Sequence, residues 1–249
     1  MPLLTLDRHG SGTPLAWLHG FTQTRSSARR FRSILAGRHE VLTLDLPGHG
    51  DAADLEASLA DIAHLVLDAL PDEPLVLGGY SFGARVALHV ALADPQRLSS
   101  LVLLGASRGI EDPHERSQRQ HRDEALATHL DEVGTDAFLN EWLSQPLFAT
   151  LGPNAESETR SPDAAGLSSS LRSAGTGTQQ WMGERLASIE VPTLAMAGAL
   201  DTKFVAEARA IAEAVAHGRF VTIAGAGHAA HLEEPELVAA TIEEFLASA

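Results

Sequence analysis

The run Leu75-Val76-Leu77-Gly78-Gly79-Tyr80-Ser81-Phe82-Gly83-Ala84-Arg85 sets a serine at Gly-x-Ser-x-Gly spacing, with an apolar stretch before it and Val86-Ala87-Leu88-His89-Val90-Ala91 after it. Strand, tight turn and helix in that order lift a hydroxyl onto a helix N-terminus, where backbone N–H groups and the helix dipole favour developing negative charge. A serine hydroxyl is inert until a neighbouring base takes its proton. Of 12 histidines, His228 in Gly225-Ala226-Gly227-His228-Ala229-Ala230-His231-Leu232-Glu233 stands out, because small neighbours between the last strand and the last helix let its imidazole reach over the sheet edge. His231, beside Leu232-Glu233-Glu234, suits packing at a helix start instead. Asp201, directly after the strand Thr193–Ala197, suits the acid that fixes the imidazole tautomer, although an aspartate there equally suits a helix cap. Asp45 precedes the serine, against the chain order Ser…Asp…His, and is set aside. Leu18-His19-Gly20-Phe21-Thr22 follows an early strand; its glycine permits a turn that aims the Phe21 N–H at the serine, to pair with the Phe82 N–H as an oxyanion hole. His19 reads as a packing residue that holds this loop.

Those side chains must be brought together by the elements around them. Apolar runs predict strands at Leu3–Asp7, Leu15–Leu18, Val41–Asp45, Leu75–Leu77, Leu101–Leu104, Thr193–Ala197 and Phe220–Ile223. Helical spacing predicts Ser26–Leu35, Leu59–Leu70, Gly83–Ala93, Val205–Ala216 and Pro235–Ala247, the last with proline at its first turn. Such alternation makes a mostly parallel sheet flanked by helices. Gly10-Ser11-Gly12-Thr13 reads as a turn between the first two strands. Between Ser107 and Leu186 the rhythm lapses into helical pieces without a convincing strand, and Ser157–Ser173 reads as a polar loop. We therefore expect a core of residues 1–106 and 187–249 with a helical cap, 107–186, inserted over the strand ends where open α/β sheets bind ligands.

Composition narrows the chemistry. With 18 Lys+Arg against 33 Asp+Glu the formal charge is −15, which disfavours a nucleic-acid binder needing a basic stripe. Lys203 is the only lysine among those 18 cations; the rest are arginines, planar forks suited to carboxylates. The absence of cysteine removes disulfides, thiol nucleophiles and cysteine-ligated zinc. No metal-ligand spacing and no phosphate-cradling glycine loop occurs, so cofactor- and metal-independent chemistry is expected. The opening octet lacks a basic region followed by an apolar stretch, and no apolar run is long enough to span a bilayer. The expectation is a cytoplasmic protein, monomeric or a small homo-oligomer, acting on a small molecule without membrane or nucleic-acid partners.

Taken together, His19-Gly20, Asp45-x-Pro47-Gly48-His49-Gly50, the Ser81 turn, Asp201 and Gly227-His228 resemble the α/β-hydrolase superfamily across nearly the whole chain. Arg85 four residues after the serine, Trp142-Leu143-Ser144-Gln145-Pro146-Leu147-Phe148, Gly175-Thr176-Gly177-Thr178-Gln179 and Asp201-Thr202-Lys203-Phe204 narrow the resemblance to the menaquinone-pathway synthases that make 2-succinyl-6-hydroxy-2,4-cyclohexadiene-1-carboxylate. Ala84 and Ala199 depart from that pattern, where glycine and glutamate are usual. The resemblance implies a lyase that eliminates pyruvate from a cyclohexene polycarboxylate. Ser81 would then be activated by His228 and Asp201 as a base; Tyr80, Trp142 and the Phe21 and Phe82 amides would hold the enolate, and Arg85, Arg119 and Arg160 the substrate carboxylates. Arg116 and Arg122 are expected instead to pair with Glu111, Glu115, Asp123 or Glu124 on a solvated face. The same triad would serve a carboxylesterase or a carbon–carbon bond hydrolase; a non-catalytic binding module is disfavoured by the intact set Ser81, Asp201 and His228.

Overall fold

The computed structural model describes residues 4–152 and 159–248. Its sheet has seven strands: β1 (Leu6–Gly10), β2 (Thr13–Leu18), β3 (His39–Leu44), β4 (Leu75–Tyr80), β5 (Leu98–Leu104), β6 (Thr193–Gly198) and β7 (Gly218–Ile223), in the spatial order β1-β3-β2-β4-β5-β6-β7. All neighbours are parallel except β1, which runs antiparallel to β3 at one edge. Both faces are covered, and at the centre of the sheet every residue of β4 is buried. On one face pack α2 (Leu59–Ala69) and α3 (Phe82–Ala93), and on the other α1 (Arg29–Leu35) lies near the chain's last helix.

The strand order matters for function. From β2 the chain steps to β3 on one side, then crosses to β4 on the other, so β2 and β4 are neighbours whose outgoing loops diverge. This is the switch point at which open α/β sheets form a crevice. Pairing of Trp17 with Gly78 and Leu18 with Gly79 sets the loop after β2, with Phe21, beside the turn after β4, with Ser81.

Between β5 and β6 stand α4 (Pro113–Leu143), broken at Gly134 (φ 77°), a 3-10 turn Pro146–Phe148, α5 (Ala164–Ala174) and a second 3-10 turn, Gly183–Ser188. Asp112 caps α4 by accepting the Glu115 N–H at 2.8 Å, with Pro113 at the first turn, and Asp163 caps α5 by accepting the Gly166 N–H at 2.6 Å. The two helices bury a small cluster of their own: Ala127, Leu130, Phe138, Leu167 and Leu171. Met182, Leu186 and Ile189 instead join the main core. The chain closes with α6 (Thr202–Ala214), the single turn α7 (Ala230–Glu233) and α8 (Pro235–Leu246).

Several expectations need correction. The first strand is Leu6–Gly10, not Leu3–Asp7, because its position follows pairing with Leu44 through Glu40 of β3; Leu3 itself lies outside the described residues. The first helix starts at Arg29 instead of Ser26, since Ala28 is left-handed (φ 55°) and Ser27 spends its hydroxyl on the Thr159 carbonyl and the Thr24 N–H. Helix α6 begins at Thr202, three residues early, because Asp201 caps it. Of the expected loop Ser157–Ser173, Ser157 and Glu158 lie outside the described residues, and most of the remainder is helix α5. The serines there disguise Leu167, Leu171 and Ala174, which recur at helical spacing and are buried.

Candidate active site

Ser81 sits in the turn between β4 and α3 with φ 51° and ψ −105°, a conformation that side-chain-bearing residues rarely adopt. The surrounding chain holds it there: its N–H bonds the Leu104 carbonyl at 2.8 Å, and its carbonyl accepts the Arg85 N–H at 3.0 Å. Glycine is required on both sides, since a Cβ at Gly79 would stand 2.5 Å from the Gly83 carbonyl carbon, and one at Gly83 would stand 2.2 Å from the Leu18 carbonyl oxygen. That second approach presses the start of α3 onto β2.

Although 147 residues away in sequence, His228 places Nε2 3.1 Å from Ser81 Oγ. Its Nδ1 stands 2.7 Å from Asp201 Oδ2. With Nδ1–H donating to the carboxylate, Nε2 is left to accept the serine proton. Asp201 fills both readings of its position, because Oδ1 accepts the Phe204 N–H at 3.3 Å and caps α6 while Oδ2 holds the imidazole. The other acid weighed, Asp45, is engaged elsewhere: it takes the Arg25 guanidinium, the Arg25 N–H and the Asp51 N–H, bracing the loop after β3.

The loops around this trio are tied down by groups that leave little trace in the sequence. Glu233 accepts the N–H groups on either side of His228, Gly227 at 2.7 Å and Ala229 at 3.1 Å. Gln23 folds back so that Oε1 accepts the Gly20 N–H at 2.9 Å, closing the turn that presents Phe21. Its only sequence signal is a polar side chain three residues after a turn glycine. His19 bonds the Gly20 carbonyl and the Leu46 N–H, acting as a loop brace. His49 stacks on Phe82 (ring centroids 5.5 Å apart) and meets Phe21 edge-on at 5.7 Å, so one buried imidazole packs against both of these cavity-lining rings. Burial keeps His19 and His49 neutral, lowering them to about 4 and about 3. His231 is a core residue, packed against Trp17, Phe31 and Tyr80 and likewise lowered to about 3 by burial.

A cavity of about 180 Å³ opens over Ser81. Tyr80, Ser81, Phe82, Phe21 and His228 line it from the core; Arg85, Arg119, Trp142 and Arg160 also reach it. Trp142 stacks on Phe138 and meets Phe21 edge-on, which docks α4 onto the loop after β2. Arg160 is positioned by a bond of 2.8 Å from Nη1 to Thr22 Oγ1 and by a backbone bridge to Gln23. Arg119 lines the cavity while Nε bonds Asp123 at 2.7 Å. Arg116 and Arg122 do not find the expected acids; they bond the Ile110 and Gln118 carbonyls, and Glu124 is taken by Arg172.

Arg85 is the unusual one. It is 9% exposed, and its nearest polar partners are oxygens without charge: Nη1 donates to the carbonyls of Ala174 (3.1 Å) and Gly175 (3.4 Å) and to Gln179 Oε1 (3.3 Å). Burial, with help from nearby Arg119 and against Asp123, lowers it to about 10, so it remains a cation at neutral pH. Burial also pushes the Tyr80 hydroxyl up, keeping it protonated as a donor. Among the described residues no cluster of metal-ligating side chains forms, and no helix is long and apolar enough to cross a membrane.

This architecture has relatives. The profile of the alpha/beta hydrolase family matches residues 9–241. A 2-succinyl-6-hydroxy-2,4-cyclohexadiene-1-carboxylate synthase of Klebsiella pneumoniae (strain 342) is 32% identical, the alignment covering 98% of each chain. One from Serratia proteamaculans is also 32% identical, over 93% of this chain and 92% of the relative. Among solved structures, MenH from S. aureus superposes with a TM-score of 0.88 at 30% identity, covering 100% of this chain and 99% of that one. With a family profile spanning almost its full length and relatives of 32% identity aligned over more than nine-tenths of both chains, the chain belongs to the alpha/beta hydrolase family, in the branch of the 2-succinyl-6-hydroxy-2,4-cyclohexadiene-1-carboxylate synthases.

Proposed function

We propose that this protein is a carbon–oxygen lyase of menaquinone biosynthesis, eliminating pyruvate from a succinylated enolpyruvyl-cyclohexene polycarboxylate to give 2-succinyl-6-hydroxy-2,4-cyclohexadiene-1-carboxylate. The observation that carries this reading is Arg85, a buried guanidinium with no carboxylate within ion-pair distance among the described residues, opening onto the cavity that holds Ser81. A buried charge left unpaired costs several kcal/mol. A substrate carboxylate supplies the missing partner, and the planar fork can hold it by two parallel bonds. Arg119 and Arg160, lining the same cavity, take the further carboxylates.

In this reading residues 107–186 act as a cap over the core of 1–106 and 187–249. His228, oriented by Asp201, draws the Ser81 proton, and Ser81 removes a proton from the ring carbon beside the succinyl ketone. The C–H electron pair becomes an enolate, held by the Phe21 and Phe82 N–H groups, the Tyr80 hydroxyl and Trp142. The carbonyl then re-forms, the ring double bond shifts, and the C–O bond to the enolpyruvyl group breaks. The departing enolate takes up the proton held by His228 and leaves as pyruvate, so no water and no cofactor is consumed. We place the reaction in the cytoplasm, with the chain a monomer or small homo-oligomer.

The experiment that tests this offers the purified protein its polycarboxylate and a neutral p-nitrophenyl ester. Pyruvate release with slow ester cleavage is the expected result. Fast ester cleavage without pyruvate release moves the hydrolase reading ahead, since the same trio would then act as an acylating nucleophile.

A further inference from the structure

One flank of the cavity is made by Ser107, Arg119, Thr176 and Lys203, and the same four residues line a wider groove of about 860 Å³ beyond it. From this shared boundary we infer that they frame the doorway to Ser81, and that Lys203 is the cation that captures a substrate carboxylate on its way in. The inference rests on the polycarboxylate reading above.

The argument begins with charge. A polyanion approaching a chain of formal charge −15 meets net repulsion. At the doorway the local sign is the opposite: two of its four residues are cations and none is an acid. Farther out, Glu111, Asp112, Glu115 and Glu207 balance the groove's four cations, and Arg108 is bonded to Glu207. The two doorway cations differ. Arg119 is committed to Asp123, whereas Lys203 is exposed and, among the described residues, has no carboxylate within ion-pair distance.

Among the described residues no acid within ion-pair distance spends the Lys203 charge, and Glu207, one turn along α6, is taken by Arg108. Asp201, two residues earlier, is occupied by His228 and by the cap of α6. The ammonium instead stands 5.3 Å from the Phe204 ring centre, and that ring lies 4.4 Å from the imidazole of His228. Lys203 is thus anchored at the mouth of the site, one aromatic ring away from the chemistry. A flexible, strongly hydrated ammonium suits transient capture, and the rigid fork of Arg85 suits the final bidentate hold.

The test measures kcat/KM for pyruvate release by wild type, K203Q, K203R and K203E at about 20 mM and about 0.5 M ionic strength, where the screening length differs several-fold. At low salt K203Q should lose on the order of five- to tenfold, through KM, with K203E lower still and K203R close to wild type. At high salt the differences should shrink toward unity. The inference is overturned if K203Q matches wild type at low salt, if its loss is independent of salt, or if the loss lies in kcat. A wild type that releases no pyruvate contradicts the reaction reading instead. In that event citrate, a simple tricarboxylate, still decides the doorway: equal citrate affinity for wild type and K203Q at low salt overturns it.

Discussion

Arg85→Ala separates substrate recognition from the serine chemistry beside it. The guanidinium is buried and hydrogen-bonds neutral oxygens of Ala174, Gly175 and Gln179, with no carboxylate within ion-pair distance among the described residues, so the charge is available to the ligand. Losing one member of a buried charge pair costs roughly 2–5 kcal/mol, and at about 1.4 kcal/mol per tenfold this is roughly a 25- to 4,000-fold fall in kcat/KM for the polycarboxylate. Arg85→Lys keeps the charge but loses the fork, and should fall between the two. The assay follows pyruvate release, with hydrolysis of a neutral ester as a second readout on the same Ser81. Side activity on the ester should barely change. Because Nη1 also braces the Ala174–Gln179 segment, an equal loss on both substrates would mean that Arg85 serves the fold, and the argument from the unpaired cation would fail.

Two further outcomes follow from the geometry. Glu233 accepts two amides with two oxygens, and Glu233→Gln offers only one carbonyl oxygen for both. It should cost about 1–2 kcal/mol of stability and on the order of tenfold in kcat/KM on every substrate that uses His228; unchanged kinetics would show that the clamp does not position the imidazole. His19, His49 and His231 titrate near 4, 3 and 3 in the folded chain, against 6.5 unfolded. Below pH 6.5 the unfolded chain therefore binds more protons, so stability is complete above that pH and declines progressively down to about pH 3–4. Melting temperature against pH should show this acid limb. His231→Phe, which replaces a ring whose two nitrogens lack partners in a shell of aromatic side chains, should flatten it; an unaltered slope would mean that His231 does not contribute.

Motifs with a local backbone signature were legible in the sequence. The Ser81 turn, the His228 loop and Asp201 each lie where a strand ends, and the small residues around them announce the turn. Arg85, Arg119, Trp142 and Arg160 came from a resemblance, and periodicity alone assigns none of them a direction. The braces were hidden. Glu233 and Gln23 are ordinary polar residues whose partners are backbone amides, so only the folded loop reveals them. The serines of helix α5 lower its mean hydropathy, so the sequence reads as a loop there, while Leu167 and Leu171 suffice to bury it against α4. The position of β1 depended on hydrogen bonding to β3, which leaves little mark on a half-exposed edge strand.

The central claim, pyruvate elimination driven by Ser81, is tested most directly by the rate of pyruvate release from the polycarboxylate, compared between wild type and Ser81→Ala. The account predicts one pyruvate for each cyclohexadiene formed by wild type, and a fall on the order of 10³-fold or more in a variant that remains folded. Near-normal release by Ser81→Ala would contradict it.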